Sequence, residues 1–95
     1  EYARALGKMA NEEAKLIGCN MAFAPVVDIP YNWQNTEIIS RAFGNDPKRV
    51  AEMGIQYMEG AHELGGFACA AKHFPGNGLD FRDAHLSNNI NDSTF

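Results

Sequence analysis

The stretch that decides the fold is GGFACAAKHFPGNG, residues 65–78. Two glycines precede an apolar run, FACAAKHF at residues 67–74, which predicts a buried strand. Lys72 and His73 lie at the carboxyl end of that strand, and a loop rich in Gly, Asn and Asp follows. Ionisable side chains on a loop that a rigid strand supports are typical of a binding or catalytic site.

A helix precedes this strand. Asp46 is a typical N-cap residue, and Pro47 suits the first helical position. Gly65 and Gly66 end the helix. Its predicted apolar stripe consists of Val50, Met53, Tyr57, Met58, Ala61 and Leu64.

The first part of the chain repeats the order of helix and strand. Residues 2–17, YARALGKMANEEAKLI, predict a helix that ends at Gly18, with Met9 in the core. NMAFAPVVDI, residues 20–29, predicts a buried strand at about residues 21–28. Because proline has no N–H to donate, we expect a strand end or a bulge at Pro25. Residues 30–45 predict a long irregular connection, the kind of loop that is often functional.

Alternating helices and strands predict parallel strands joined by right-handed crossovers. No G-x-G-x-x-G follows either strand, so the dinucleotide-binding version of this architecture lacks its fingerprint. Polar residues after the strand ends are typical of the C-terminal face of a (β/α)8 TIM barrel, which takes about 250 residues. The 95 residues therefore predict an α/β fold with about two βα units of a barrel, residues 1–95 being a fragment of a single barrel domain. We expect the rest of the barrel to be supplied by a longer protein.

Composition argues against several classes. Eight basic and 12 acidic side chains give a net charge of −4, which argues against a nucleic-acid surface. No apolar run approaches the roughly 18 residues of a membrane span. The chain starts without Met or a signal-peptide pattern, and its compartment stays open.

Cys19 and Cys69 are too few for a disulfide framework and predict buried free thiols. No spacing of Cys and His indicates zinc, so neither a metal nor a cofactor is expected.

The motifs, taken in order, resemble a known family. NMAFAPVVDI, ISRAFGNDPKRV (residues 39–50), KHFPGNG (72–78) and RDAH (82–85) together resemble the N-terminal barrel domain of family 3 glycoside hydrolases. The likeness is greater to the β-N-acetylhexosaminidase branch, whose motif is KHFPGHG, four residues, then Asp-x-His. The chain departs from that pattern at two positions. Asn77 replaces the second His of KHFPGHG, and Ala84 is the middle residue of Asp-x-His.

The resemblance implies a retaining glycosidase that removes terminal β-linked N-acetylhexosamine, such as N-acetylglucosamine, without a cofactor. His85 would protonate the leaving oxygen and later deprotonate water, while Asp83 would orient the imidazole and stabilise its charged form. Lys72, His73 and Arg41 match positions that bind the sugar's hydroxyl groups. A retaining enzyme also needs a carboxylate nucleophile. In the family this is an Asp further downstream, so we expect no catalysis by these 95 residues alone.

Other functions stay open. Asp-x-His by itself also suits a solvated loop, and Asp80 is a rival acid. A family 3 β-glucosidase or β-xylosidase would carry its acid/base elsewhere. The chain is alternatively a non-catalytic barrel fragment that binds sugar or self-associates through its open strand edges. A histidine acid/base repels an anionic acceptor less than a carboxylate does, so phosphate in place of water also stays open.

Structural roles compete for single residues. Lys72 and His73 also suit an extended surface lysine and a core histidine bonded to backbone. Arg41 also suits a pairing with Asp28 or Asp46. We expect Asp28 to be structural and bonded to loop backbone. For Tyr31 and Trp33, stacking on a sugar and simple packing are both open, and His62 is expected at the surface.

Overall fold

The structure is a computed structural model that describes residues 1–79, 83, 85 and 86. In chain order its elements are helix α1 (Tyr2–Leu16), strand β1 (Met21–Ala22), helix α2 (Thr36–Ile39), helix α3 (Pro47–His62) and strand β2 (Ala68–Cys69). β1 and β2 pair in parallel, as the alternation of helices and strands predicts. The connection between the two strands contains α2 and α3.

Both strands are shorter than predicted. Regular pairing is confined to Met21–Ala22 and Ala68–Cys69, whereas the sequence predicts strands over about residues 21–28 and 67–74. Beyond β1 and β2 the segments stay adjacent, and Val26 forms an isolated parallel bridge with Lys72. The predicted lengths are wrong because the ladder is interrupted between these two regions.

The interruption is a bulge of one residue. From Ala22 to Val26 the first segment advances four residues, while the second advances three, from Cys69 to Lys72. Pro25 lies within the longer stretch and has no N–H to contribute to the ladder. The irregularity that the sequence predicts at Pro25 is confirmed.

The two long helices follow their predicted bounds. α1 ends just before Gly18, which has a φ of 96°. The Asp46 carboxylate caps α3 by accepting a hydrogen bond from the backbone N–H of Lys48 at 3.1 Å. Gly65 and Gly66 follow α3 with φ values of 68° and 63°, a backbone region that favours glycine. The helix signals in the sequence are therefore confirmed at both ends of α3.

Glycines allow α1 and α3 to approach each other closely. A Cβ atom added at Gly7 would lie 2.0 Å from the carbonyl oxygen of Tyr57. A Cβ atom added at Gly60 would lie 2.0 Å from the carbonyl oxygen of Arg4. The Arg4 guanidinium also donates to Glu63 from Nε at 2.7 Å, and this hydrogen bond lowers the pKa of the Glu63 carboxyl. The two helix backbones are thus in contact at positions where larger residues do not fit.

The packed face of α1 differs from the expectation at Met9. Ala3, Gly7 and Asn11 are buried, whereas Met9 is 61% exposed. The expectation that Met9 belongs to the core is wrong for this chain, because α1 meets α3 along small residues. The buried apolar residues of the described chain are Ala3, Ile38, Val50, Tyr57, Ala61 and Phe67.

The long connection is not irregular throughout. α2 lies within it, and the side-chain oxygen of Asn35 caps this short helix by accepting from the backbone N–H groups of Glu37 and Ile38 at 3.1 and 3.3 Å. Asn35 and Ile38 are fully buried. The expectation of an irregular connection is therefore wrong for Thr36–Ile39, and the buried pair anchors this segment.

Two sequence expectations concern cysteines and membranes. Both cysteines are free, but Cys19 is exposed and Cys69 is half-buried, so the expectation of buried thiols is wrong. Of the helices in the described part of the chain, none has the length and apolarity needed to cross a membrane.

Candidate functional site

The carboxyl ends of the two parallel segments bring Asp28 and His73 together. Val26 and Lys72 form the last bridge of the ladder, and each is followed closely by one of these residues. Carboxyl ends of parallel strands meet at the same edge of a sheet, which is where ligand sites of α/β folds occur. His73 is therefore at the position that its strand end predicts.

Asp28 is a carboxylate only 3% exposed, and N–H groups meet both of its oxygens. Oδ2 accepts from the backbone N–H of His73 at 3.2 Å and lies 2.5 Å from the ring Nδ1 of the same residue. Oδ1 accepts from the backbone N–H of Asn77 at 2.8 Å. The expected bonding of Asp28 to loop backbone is confirmed. Asn77 contributes its backbone N–H, so this bond does not depend on the second His of KHFPGHG, which Asn77 replaces.

Lys72 lies beside this pair in sequence and is half-buried. Its ammonium has no hydrogen-bond or ion-pair partner among residues 1–79, 83, 85 and 86. An ammonium has three N–H donors and no acceptor. These donors suit the hydroxyl oxygens of a ligand, which is the role predicted from the resemblance.

Asp83 and His85 form a compact hydrogen-bonded pair. Oδ1 of Asp83 accepts from the backbone N–H of His85 at 2.9 Å and lies 2.8 Å from its Nδ1. The backbone N–H of Leu86 donates to the carbonyl oxygen of Asp83 at 2.9 Å and closes the turn. An aspartate that bonds the backbone two residues on is typical of an Asx-turn. The structure thus brings together the two groups predicted to form the dyad.

The environment of Asp83 favours its ionised form. The backbone N–H of His85, then its ring N–H, hold the pKa of the Asp83 carboxyl below its usual range, against the small opposing effect of burial. The charge of His85 lowers this pKa further. A carboxylate accepts but does not donate, so the hydrogen lies on Nδ1 of His85, and Nε2 is the ring nitrogen that points away from Asp83.

A third carboxylate links Arg41 to this pair. The Glu37 side chain, on α2, is 5% exposed. Its Oε1 lies 3.5 Å from Nη1 of Arg41 and 3.7 Å from Nδ1 of His85. In the described residues the ion pair of Arg41 is therefore with Glu37, and neither of the predicted carboxylate partners, Asp28 and Asp46, is used.

A chain of polar contacts connects the two halves of the site. The side-chain amide of Asn35 donates to the carbonyl oxygen of Asn77 at 2.6 Å, while the same side chain caps α2. The connected residues, in spatial order, are His73, Asp28, Asn77, Asn35, Glu37 and His85.

Sequence analysis does not single out Asn35 or Glu37. Asn35 followed by Glu37 fits an N-cap with an acidic first turn, so a short helix was detectable. Nothing in the spacing places Glu37 beside His85, because that contact joins two distant loops. Asp80, the rival acid, lies outside the described residues.

The group of Glu37, Asp83 and His85 also fits a metal ion. Each offers one ligand atom, and these atoms lie within 4.8 Å of one another. Carboxylate oxygen and imidazole nitrogen are ligands that Zn²⁺ accepts. The sequence predicts no metal site, since it lacks a Cys and His spacing and this ligand set forms only in the folded chain.

Tyr31 and Trp33 stand on a segment joined to the loop after β2. Between them, Asn32 donates from its backbone to the carbonyl oxygen of Gly78 at 2.8 Å and from its side chain to that of Leu79 at 3.2 Å. Trp33 is 75% exposed and Tyr31 is also exposed. Neither ring is packed within the described chain, and stacking on a sugar stays a prediction. His62 is exposed, as predicted.

Comparison with known proteins gives the family. The model of the "Glycosyl hydrolase family 3 N terminal domain" matches residues 1–94. The chain is 44% identical over 91 residues to a beta-N-acetylglucosaminidase/beta-glucosidase of Cellulomonas fimi, covering 96% of this chain and 16% of the relative. It is 36% identical over 86 residues to a beta-hexosaminidase of Idiomarina loihiensis, covering 90% of this chain and 25% of the relative. The chain thus spans a quarter or less of the length of these two relatives.

Solved structures agree with this assignment. The beta-glucoside phosphorylase BglX superposes with a TM-score of 0.83 at 36% identity, over 87% of this chain and 15% of that one. The beta-N-acetylglucosaminidase of Paenibacillus sp. str. FPU-7 gives 0.81 at 35% identity, over 87% and 16%. Zn-bound CbsA from Thermotoga neapolitana gives 0.77 at 34% identity, over 90% and 18%. In such neighbours the N-terminal domain is of the TIM-barrel type. On sequence and structure together, the chain belongs to glycoside hydrolase family 3, within its N-terminal domain.

Proposed function

We propose that the chain is part of a retaining glycoside hydrolase that removes terminal β-linked N-acetylhexosamine, N-acetylglucosamine in particular. The observation that carries this proposal is the 2.8 Å contact between Nδ1 of His85 and Oδ1 of Asp83. Histidine suits a group that must both donate and accept a proton near neutral pH. The names of the relatives from C. fimi and Paenibacillus support the choice of an acetamido sugar.

The proposed reaction has two steps. In the first, Nε2 of His85 donates a proton to the glycosidic oxygen as its bond to the anomeric carbon breaks. A carboxylate nucleophile, carried by another part of the full-length protein, forms the glycosyl-enzyme. In the second step, His85 takes a proton from water as the water oxygen attacks the anomeric carbon and the carboxylate leaves. Asp83 stays ionised, orients the ring through Nδ1 and faces its positive charge.

Three residues are proposed to bind the sugar. Lys72 and His73 stand at the carboxyl end of the second parallel segment, and Arg41 is held by Glu37 near the dyad. We also propose that residues 1–95 supply about two βα units of a single (β/α)8 barrel domain. Support for this comes from the parallel pairing of β1 with β2 and from the polar residues gathered at one end of the ladder.

The isolated chain is proposed to be inactive and to self-associate. The resemblance places the family's nucleophile further downstream, which supports inactivity, and the open edges of a partial sheet support pairing between copies. Large apolar side chains, among them Leu16, Phe23 and Phe74, are exposed. Sedimentation of the purified chain as a monomer would contradict the self-association, and turnover by it would contradict the inactivity.

Zinc is proposed as an inhibitor of the enzyme. The zinc-bound relative CbsA supports this, as does the ligand set of Glu37, Asp83 and His85. An ion bound there would engage both members of the dyad and would take the place of the hydrogen on Nδ1 of His85. The imidazole could then not hold a proton on both nitrogens, so it would not cycle between its charged and neutral forms.

A second candidate is a family 3 enzyme that acts on β-glucosides. The C. fimi relative is also named a beta-glucosidase, and BglX is a beta-glucoside phosphorylase. In that case the acid/base lies elsewhere in the protein, and phosphate is an alternative acceptor to water. Lys72, His73 and Arg41 would remain the contribution of this segment.

The deciding experiment compares substrates on the full-length protein. We expect kcat/KM for an aryl β-N-acetylglucosaminide to exceed that for the matching aryl β-glucoside by far more than tenfold. We expect His85→Ala to slow substrates with poor leaving groups much more than activated ones, since only the former need an acid. His62→Ala, an exposed histidine on α3, is the matched control and should change neither rate. A kcat/KM ratio near one, together with unchanged rates in His85→Ala, would favour the second candidate.

A further inference from the structure

We propose that Asp28 is a positioning residue that determines which ring nitrogen of His73 meets the substrate. The inference rests on the proposed function, because it needs a sugar hydroxyl beside His73. It goes beyond that function in assigning a role to a buried residue that has no expected contact with sugar.

The geometry leaves one arrangement of the His73 ring. The Asp28 side chain is 0% exposed, and its Oδ2 lies 2.5 Å from Nδ1 and 3.2 Å from the backbone nitrogen of His73. A carboxylate oxygen only accepts hydrogen bonds, so the hydrogen of the ring lies on Nδ1. The His73 side chain is 26% exposed, and Nε2 is the nitrogen that this pairing leaves for a ligand. On a neutral ring Nε2 is an acceptor, so the sugar hydroxyl would be the donor.

The same carboxylate also sets the position of the loop around the ring. Oδ1 of Asp28 accepts from the backbone N–H of Asn77, and a Cβ at Gly76 would lie 3.2 Å from that oxygen. Gly76 has a φ of 115°, a conformation that side chains rarely adopt. The loop backbone therefore fits closely around Asp28. The buried Asp28 side chain therefore fixes both the tautomer of His73 and the position of its ring relative to the end of the strand.

Replacement of Asp28 by Asn separates these bonds. An asparagine side chain has one acceptor oxygen and one donor NH₂ in place of two acceptors. If the NH₂ faces His73, the ring must accept at Nδ1 and carry its hydrogen on Nε2, and the backbone N–H of His73 loses its acceptor. If the NH₂ faces Asn77, the backbone N–H of Asn77 loses its acceptor and the tautomer of His73 is unchanged. Asp28→Leu removes both acceptors and is therefore the variant that tests the tautomer.

The first test is the tautomer of His73 in the full-length protein, read from ring ¹⁵N chemical shifts after selective histidine labelling. We expect the wild type to carry the hydrogen on Nδ1, and Asp28→Leu, which offers Nδ1 no acceptor, to move it wholly or partly to Nε2. A wild-type ring with its hydrogen on Nε2 would overturn the proposal. This measurement needs no substrate, so it stands even if the enzyme proves to have another specificity.

The second test uses aryl glycosides in which each hydroxyl is replaced in turn by hydrogen or by fluorine. Fluorine does not donate a hydrogen bond. At the position that meets Nε2, we expect both replacements to lower wild-type kcat/KM by about tenfold or more. His73→Asn keeps a polar group near Nδ1 but has no Nε2, so it should lose this preference while still folding, and Asp28→Leu should weaken it.

Two results would overturn the assignment. One is an Asp28→Leu protein that folds, although this position no longer offers an acceptor, and keeps both the tautomer and the hydroxyl preference, because Asp28 would then be purely structural. The other is a fluorinated substrate that matches the parent sugar at every position sensitive to His73→Asn, because His73 would then donate. If the Asp28 variant does not fold, the tautomer of the wild type and the response of His73→Asn to the modified substrates still test the proposal. Failure of the wild type on all hexosaminides would count against the proposed function alone.

Discussion

The side-chain amide of Asn35 donates a hydrogen bond to the carbonyl oxygen of Asn77 at 2.6 Å, and this bond joins the start of α2 to the loop that follows β2. The oxygen of the same amide caps α2. One buried side chain therefore holds the segment that carries Glu37 and Arg41 against the segment that carries His73.

Asn35→Asp tests this connection. The carboxylate still caps α2, but it has no donor for the carbonyl oxygen of Asn77. We expect the free energy of unfolding to fall by about 1–3 kcal/mol, the typical cost of a buried group left without its partner. Urea unfolding of the full-length protein measures the change. Asn45→Asp, on an exposed part of the same connection, is the control, and equal stability of the two variants would contradict the prediction.

The pKa of Asp83 gives a second prediction. Its carboxyl should titrate below the usual range for aspartate in a ¹³C NMR experiment, because it accepts two N–H groups from His85. A pKa lower in the folded than in the unfolded protein stabilises the fold above the unfolded pKa, and this contribution is lost as pH falls through the folded value. The turn should therefore persist at neutral and mildly acidic pH and open only in stronger acid.

His85→Ala should raise the pKa of Asp83 towards its usual range, since the ring N–H and its charge are lost while the backbone N–H remains. His62→Ala should leave that pKa unchanged. An Asp83 that titrates identically in wild type and His85→Ala would mean that the two side chains are not paired in solution.

Zinc provides a third prediction. If the full-length protein has the proposed activity, Zn²⁺ should inhibit it and a chelator should restore it, because the ligand atoms of Glu37, Asp83 and His85 lie within 4.8 Å of one another. Glu37→Gln removes one anionic ligand and should raise the zinc concentration needed for half inhibition. Glu52→Gln, at an exposed position of α3, is the control. A chelator that abolishes turnover would reverse the interpretation, since zinc would then be required.

The contact between α1 and α3 gives a fourth prediction. Gly60→Ala should cost about 1–3 kcal/mol of unfolding free energy, because the new Cβ would lie 2.0 Å from a carbonyl oxygen of Arg4 and backbone must move. Gly54→Ala is the matched variant on the same helix. Its Cβ would lie 2.9 Å from Cγ1 of Val27, a side chain that can rotate, and at an ordinary contact distance of 3.9 Å from Cγ of Pro25. The gain in helix propensity of up to about 1 kcal/mol should offset most of that cost.

Thermal or urea unfolding of these two variants measures the difference. Equal effects at Gly54 and Gly60 would indicate that the two helices are not in close backbone contact.

Local signals in the sequence predict the long helices well. Asp46 and Pro47 mark the start of α3, and Gly65 and Gly66 mark its end, because capping depends on neighbouring residues only. The exposure of Met9 on α1 is not predicted, since α1 meets α3 along small residues such as Gly7, which lies against Tyr57.

The candidate site likewise combines one contact that a short motif predicts with others that no short motif predicts. Asp83 and His85 are close in sequence, so their pairing is accessible to a motif. The contact of Asp28 with the ring of His73 depends on the register of two parallel segments, and that of Glu37 with His85 depends on the path of two loops. Neither register nor loop path is encoded in a short pattern.

The additional residue between Ala22 and Val26 has a consequence for how this segment tolerates change in length. Side chains alternate between the two faces of a strand, so removal of one residue reverses every side chain beyond it. At residues 23–25 the bulge absorbs such a change, because deletion of one residue would leave three residue steps facing three and Val26 would still pair with Lys72. Between Val26 and Asp28 nothing absorbs it, and a deletion there would turn Asp28 away from His73. Natural variation in length is therefore expected at residues 23–25 rather than between Val26 and Asp28.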